Sequence, residues 1–180
     1  MKDVCLLWAK YNREANKNVC SLLNAMSNED REKDRGSYYG SLSGLFRHIL
    51  GGTGFFLKMF KDALADKDAV QKLLASLEDF KLPEDQLSEA QWKDLGALQE
   101  RLDDLLVDFT GLLEEGDFSA PVKLSWYGGN PAAVPLYFML HNLSAHGTHH
   151  RGQISQIFDE LKIDNDYSGI NVRFLADQES

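Results

Sequence analysis

The stretch Met139-Leu140-His141-Asn142-Leu143-Ser144-Ala145-His146-Gly147-Thr148-His149-His150-Arg151-Gly152-Gln153-Ile154 carries helical periodicity and three-residue chemistry at once. At about 100° per residue, Met139, Leu143, His146, Ile154, Ile157 and Leu161 fall within roughly 40° of His150, so one apolar seam contains two imidazoles a turn apart. Tyr137, His141, Thr148, Ser155 and Asp159 point the opposite way, and His149 flanks the seam. An apolar seam this long predicts a helix, running from about Pro131 to Leu161, packed against partners of the same kind.

Such partners are present upstream. Leu6, Leu7, Tyr11, Ala15, Val19, Leu22, Leu23 and Met26 recur at helical spacing and predict a first helix over 4–26, with polar Asn and Lys on its other side. Ser27 caps a short charged helix that Gly36 ends. Leu42, Leu45, Ile49, Phe56, Met59, Phe60 and Ala63 predict a helix over 41–65. It contains Gly51, Gly52 and Gly54, each costing about 1 kcal/mol relative to Ala, which calls for close packing or ligand space; a phosphate loop lacks its preceding strand and its Gly-Lys-Ser/Thr context. The charged stretch 66–89 reads as a solvated connection with a short helix over 69–78. Leu95, Leu98, Leu102, Leu105, Leu106, Phe109 and Leu112 define a helix over 88–115 that Gly116 stops. A short strand within 118–126 and a turn at Gly128-Gly129-Asn130-Pro131 lead into the last helix. Four long amphipathic helices make the expected fold all-α, an up-down four-helix bundle forming one domain over 1–180.

Composition narrows the function. The chain has 180 residues, 19 Lys plus Arg against 28 Asp plus Glu, and a formal net charge of -9, the opposite of a nucleic-acid footprint. No run of about 18 apolar residues exists to span a membrane, and the first apolar run is too short for a signal peptide. Two cysteines, Cys5 and Cys20, form no disulfide framework and read as small core residues of a protein in a reducing cytoplasm.

The five histidines are the feature with chemical promise. His146 and His150 project in parallel and can converge on one ion; otherwise they are core histidines, each held by a hydrogen bond. His48, beside the inward stripe of the second long helix, offers a third ligand, since bundle metal sites are built between facing helices. Three neutral imidazoles leave open coordination positions and suit Zn, Ni, Fe or Co rather than Mg or Ca. No Glu follows His146 to make the His-Glu-x-x-His pattern, so peptide hydrolysis is disfavoured. Gln153, about 60° from His150, is placed to orient an imidazole. Arg151, about 100° away, reads as a surface or interface residue, with a bidentate hold on a substrate carboxylate as the other reading. Asn12 and Asn16 are expected to pair with backbone inside the bundle, and Tyr38, Tyr39, Trp126 and Tyr127 either line a pocket mouth or are ordinary core.

At His146-Gly147-Thr148-His149-His150-Arg151-Gly152-Gln153 the sequence resembles the DinB/YfiT-like family, whose signature is His-x-x-x-His-Arg-Gly-Gln. Tyr11-Asn12 with Ala15-Asn16, Gly40-Ser41 and His48 agree in order and spacing, so the resemblance runs from about Leu6 to Ile163. It implies a four-helix bundle holding a divalent metal through His48, His146 and His150, often as a homodimer. It also implies transferase or isomerase chemistry with low-molecular-weight thiols. On physical grounds an open metal position would favour a thiolate that attacks an electrophilic carbon, or would lower the pKa of a bound water for hydrolysis. The family often has an Asp and then a Trp after the first ligand; Thr53 and Phe56 stand there instead, which removes a carboxylate from the site. The other reading is a non-catalytic metal-binding dimerisation or stress-associated module.

Overall fold

A computed structural model describes residues 1–84, 86–124 and 132–170. Its helices are α1 (Lys2–Asn24), α2 (Asn28–Glu32), α3 (Leu42–Ala63), α4 (Asp68–Leu74), α5 (Glu89–Leu112) and α6 (Leu136–Glu160). Strands β1 (Pro121–Lys123) and β2 (Ala133–Pro135) form a small antiparallel ribbon, and 3-10 turns cover Ala75–Leu77 and Glu115–Ser119. The architecture is the expected helical bundle. α1 packs on α5 and α6, and α3 packs on α6 and α5. α1 runs antiparallel to α5: Trp92 Nε1 at the start of α5 donates to Asn24 Oδ1 at the end of α1 (2.7 Å), and the Met1 ammonium meets Glu115 just beyond α5 (3.2 Å). Among the described residues no helix is long and apolar enough to cross a membrane.

Serine caps set the helix starts. Ser27 Oγ accepts from Asp30 N–H and Ser41 Oγ from Gly44 N–H, while Ser88 and Gln91 form a reciprocal capping box, each satisfying first-turn amides that have no carbonyl of their own. The ends differ from expectation. α2 stops at Glu32, where Lys33 turns extended, and Gly36 serves a later turn at φ 73. α5 stops where Leu113 turns extended, with Gly116 inside the following 3-10 turn.

The last helix begins at Leu136, five residues later than Pro131 would allow. Val134 pairs with Val122 and Pro135 with Pro121; a residue before proline is pushed away from helical ψ, so Val134 stays extended and Pro135 becomes the N-cap. The expected turn at Gly128–Pro131, and Trp126 and Tyr127, lie outside the described residues.

The segment between α3 and α5 is more than a solvated connection. Val70, Leu74 and Leu77 are buried, and Phe80 and Leu82 pack against the core. The α3 glycines make room for them: a Cβ on Gly51 would stand 2.6 Å from Leu82 Cδ1, and one on Gly54 would stand 2.4 Å from the Phe80 ring. Gly51 and Gly54 thus serve close packing, one of the two reasons expected for the α3 glycines.

Candidate metal centre

His48 sits two turns into α3, and His146 and His150 face it from the middle of α6. Nε2 of His48 and Nε2 of His146 are 2.9 Å apart. Ring centroids separate by 4.8 Å for His48 and His146, 4.5 Å for His48 and His150, and 4.6 Å for His146 and His150. One nitrogen from each residue lies within 4.8 Å of the others. Nitrogens each about 2.0–2.1 Å from one ion stand roughly 3 Å apart, so the closest pair already has the spacing of shared ligands. The donor set, three imidazoles, is that of a transition metal.

Each ring is held in place by a different device. Gly52 opens the space for His146, since a Cβ there would stand 2.6 Å from the ring's Cε1. Tyr39 stacks on His48 with centroids 3.8 Å apart and planes 19° apart, and meets His150 edge-on at 5.4 Å. His150 Nδ1 donates to Gln153 Oε1 at 2.7 Å; because a carbonyl oxygen only accepts, the proton is on Nδ1 and the Nε2 lone pair is free. Gln153 is thus where a group that orients a ligand should be. The exposed Tyr38 takes no part in this stack, and Tyr39 alone of the described aromatic candidates borders the cluster.

Electrostatics keep the rings neutral. Burial, helped by the neighbouring His150 and Arg47, lowers the pKa of His48 to about 4. Burial, then His150 and His48, lowers that of His146 to about 4. Burial also lowers that of His150, with the Gln153 hydrogen bond pulling the other way. A neutral imidazole is the form that ligates.

His141 and His149 are exposed and outside the cluster. Arg151 is not a surface residue. It is 2% exposed, and its Nη1 donates to Asn12 Oδ1 (2.6 Å) and Asn16 Oδ1 (2.9 Å). The amide nitrogens of these asparagines donate in turn to Asp103, Asn16 at 3.0 and 3.2 Å and Asn12 at 3.4 Å, while Gln99 Nε2 donates at 2.5 Å. Asn12 and Asn16 therefore pair with side chains rather than backbone, and lie on the inner face of α1. They bridge a buried cation and a buried carboxylate across α1, α5 and α6. Asp103 was legible only as a break in the pattern: Leu95, Gln99, Leu102, Asp103 and Leu106 share one face of α5, and two polar residues on that stripe required partners.

Thr53, where the family often has its Asp, is buried and donates to Ile49 O in its own helix (3.2 Å). It supplies no acid or base to the centre. Cys5 and Cys20 are buried, free core residues, and burial raises the Cys20 thiol to about 11, far from nucleophilic readiness.

A family model described as "DinB family" matches residues 1–161. The chain belongs to the DinB family. No curated protein and no solved structure gives a match. The DinB match spans α1 through α6 and so includes every residue of the cluster and of the Asp103 network.

Proposed function

We propose that this DinB protein holds a divalent transition metal on His48, His146 and His150 and uses it as a metal-dependent enzyme of the thiol transferase type. The observation that carries the reading is the convergence of three neutral imidazoles, with two Nε2 atoms 2.9 Å apart and one tautomer fixed by Gln153. When bound, the metal supplies a Lewis acid that makes a thiol or a water more acidic. The chain's own residues do the rest: Gln153 keeps the proton of His150 on Nδ1, Gly52 leaves His146 its place, and Tyr39 covers the His48 ring. The ligand type suits Zn, Ni or Fe. A low-molecular-weight thiol and an electrophilic second substrate are the proposed small-molecule partners, in a reducing cytoplasm where both cysteines stay free. The homodimer expected of the family belongs to the same reading and is checked by light scattering.

One observation favours the non-catalytic alternative, a metal-binding dimerisation or stress-associated module: Thr53 spends its hydroxyl on its own helix, leaving the centre without the carboxylate many relatives have. Metal analysis of the purified protein beside His48→Ala and His146→Ala variants tests the shared premise, and unchanged metal content in both variants would sink it. Turnover of an electrophilic model substrate with a panel of small thiols then separates the two. Metal-dependent turnover supports the enzyme; metal retention with no turnover for any thiol supports the module.

A further inference from the structure

Gly147 and Arg151 repeat the spacing of His146 and His150 one residue later, so the two pairs form parallel stripes on α6 about 100° apart. The histidine stripe faces α3. The other faces α1: a Cβ on Gly147 would stand 2.8 Å from Asn12 Oδ1, and the Arg151 guanidinium lies 5.4 Å from the centre of the Tyr11 ring. One helix therefore presents imidazoles on one side and a fixed hold on its neighbour on the other.

That hold is directional at every step. Asn12 and Asn16 each give the side-chain oxygen to Arg151 Nη1 and the amide group to Asp103, so neither amide can flip without setting N–H against N–H and oxygen against carboxylate. Gln99 donates to the same carboxylate from within α5. The rotation of α6 about its own axis is thereby referred to α1 and, through Asp103, to α5, two helices that contribute no imidazole to the cluster. The apolar contacts of Met139, Leu143 and Ile154 carry no such preference, because hydrophobic burial has no direction.

A metal centre is sensitive to that rotation. Side-chain atoms lie roughly 5–6 Å from a helix axis, so a turn of about 10° carries them about 1 Å. Metal–ligand distances, in contrast, hold to about 0.2 Å. Nε2 of His146 is 2.9 Å from that of His48 across the gap between α6 and α3, a spacing that such a turn would undo.

We infer that Arg151 is a positioning residue for the three-histidine cluster: anchored through Asn12 and Asn16 to Asp103, it sets the rotation of α6 at which His146 and His150 meet His48. The meeting of the rings belongs to the protein without metal; the consequence for affinity rests on the proposed metal centre.

Three variants and a control test it. Arg151→Met and Asn16→Leu break the hold at either end of one hydrogen bond. Arg151→Met with Asp103→Leu removes it while leaving no buried charge behind, so that this double variant keeps more of its stability. Leu74→Ala is the control for lost stability alone; α4 lies at the end of α3 remote from His48, where Gln71 Nε2 donates to Lys61 O (2.8 Å). Zinc affinity is measured by chelator competition, the cobalt form by its visible spectrum, and the contact between the His48 and His146 rings in the metal-free protein by NMR cross-relaxation. The three variants should bind zinc about 10–100-fold more weakly, as when a group that orients a ligand is lost, with an altered cobalt spectrum and a weakened ring contact. Leu74→Ala should melt lower but bind like the wild type. Wild-type affinity in the double variant, or a loss in Leu74→Ala as large as in the others, would overturn the inference. Should the wild-type protein take up neither zinc nor cobalt, the metal reading fails and the ring contact decides: its loss in the double variant upholds the positioning role, and its persistence overturns it.

Discussion

Gln153 accepts the Nδ1 proton of His150 from one turn further along α6. This single contact decides which nitrogen of His150 faces His48 and His146. Gln153→Leu leaves both tautomers available and should weaken metal binding by about 10–100-fold, the usual cost of losing such a partner. Gln153→Glu, which keeps an acceptor, should retain most of the affinity. Competition with a chromophoric chelator measures both; equal weakening would mean that the contact does not set the tautomer.

Acid titration of the metal-free protein should reveal two opposed trends. His48 and His146 have folded pKa values of about 4, below their usual 6.5, so their contribution is present above pH 6.5 and is lost as pH falls toward 4. Asp103 has its pKa raised to about 7 from 3.8, chiefly by burial; the folded state holds that proton more tightly, so its contribution favours folding at low pH and is lost as pH rises from 3.8 to 7. The trends oppose each other in one window. Urea unfolding of a His48→Ala, His146→Ala double variant should show stability falling with rising pH, and Asp103→Asn should show it rising. Parallel profiles for the two variants would contradict the assignment.

Gly52→Ala should separate the centre from the fold. Its Cβ, 2.6 Å from His146 Cε1, forces the ring to move, so metal retention should fall further than stability. Gly111→Ala is the control, because a Cβ there meets nothing within 4 Å in α5; it should raise stability by up to about 1 kcal/mol and leave metal content alone. Thermal melts beside metal analysis make the comparison.

Arg151→Met leaves Asp103 buried with its distant counter-charge gone and should cost about 3–5 kcal/mol. Replacing both ends, as Arg151→Met with Asp103→Leu, should cost less than the sum of the single changes, because neither buried charge is then left alone. Additivity in urea unfolding would argue against coupling through Asn12 and Asn16.

Much of this was legible because apolar spacing on a helix is a local property. The seam of α6 follows from Met139 to Ile157 alone, and His48 from its neighbours on the α3 stripe. What escaped depends on partners far along the chain. Arg151 looks like a surface residue until Asn12 and Asn16, more than 130 residues away, turn out to accept its protons. Gly52 shows a cost in the sequence, but its benefit belongs to His146. Pro135 was readable as a first-turn proline; its pairing with Pro121 in the ribbon delayed the helix.

His48 and His146 are 98 residues apart in sequence. An ion shared by them is therefore also a cross-link, closing a loop that contains α4, α5 and the ribbon, and the entropy of so long a loop is high in the unfolded chain. Metal removal should then do more than vacate a site: it should loosen α3 from α6, so that hydrogen exchange at that seam quickens before exchange between α1 and α5 does.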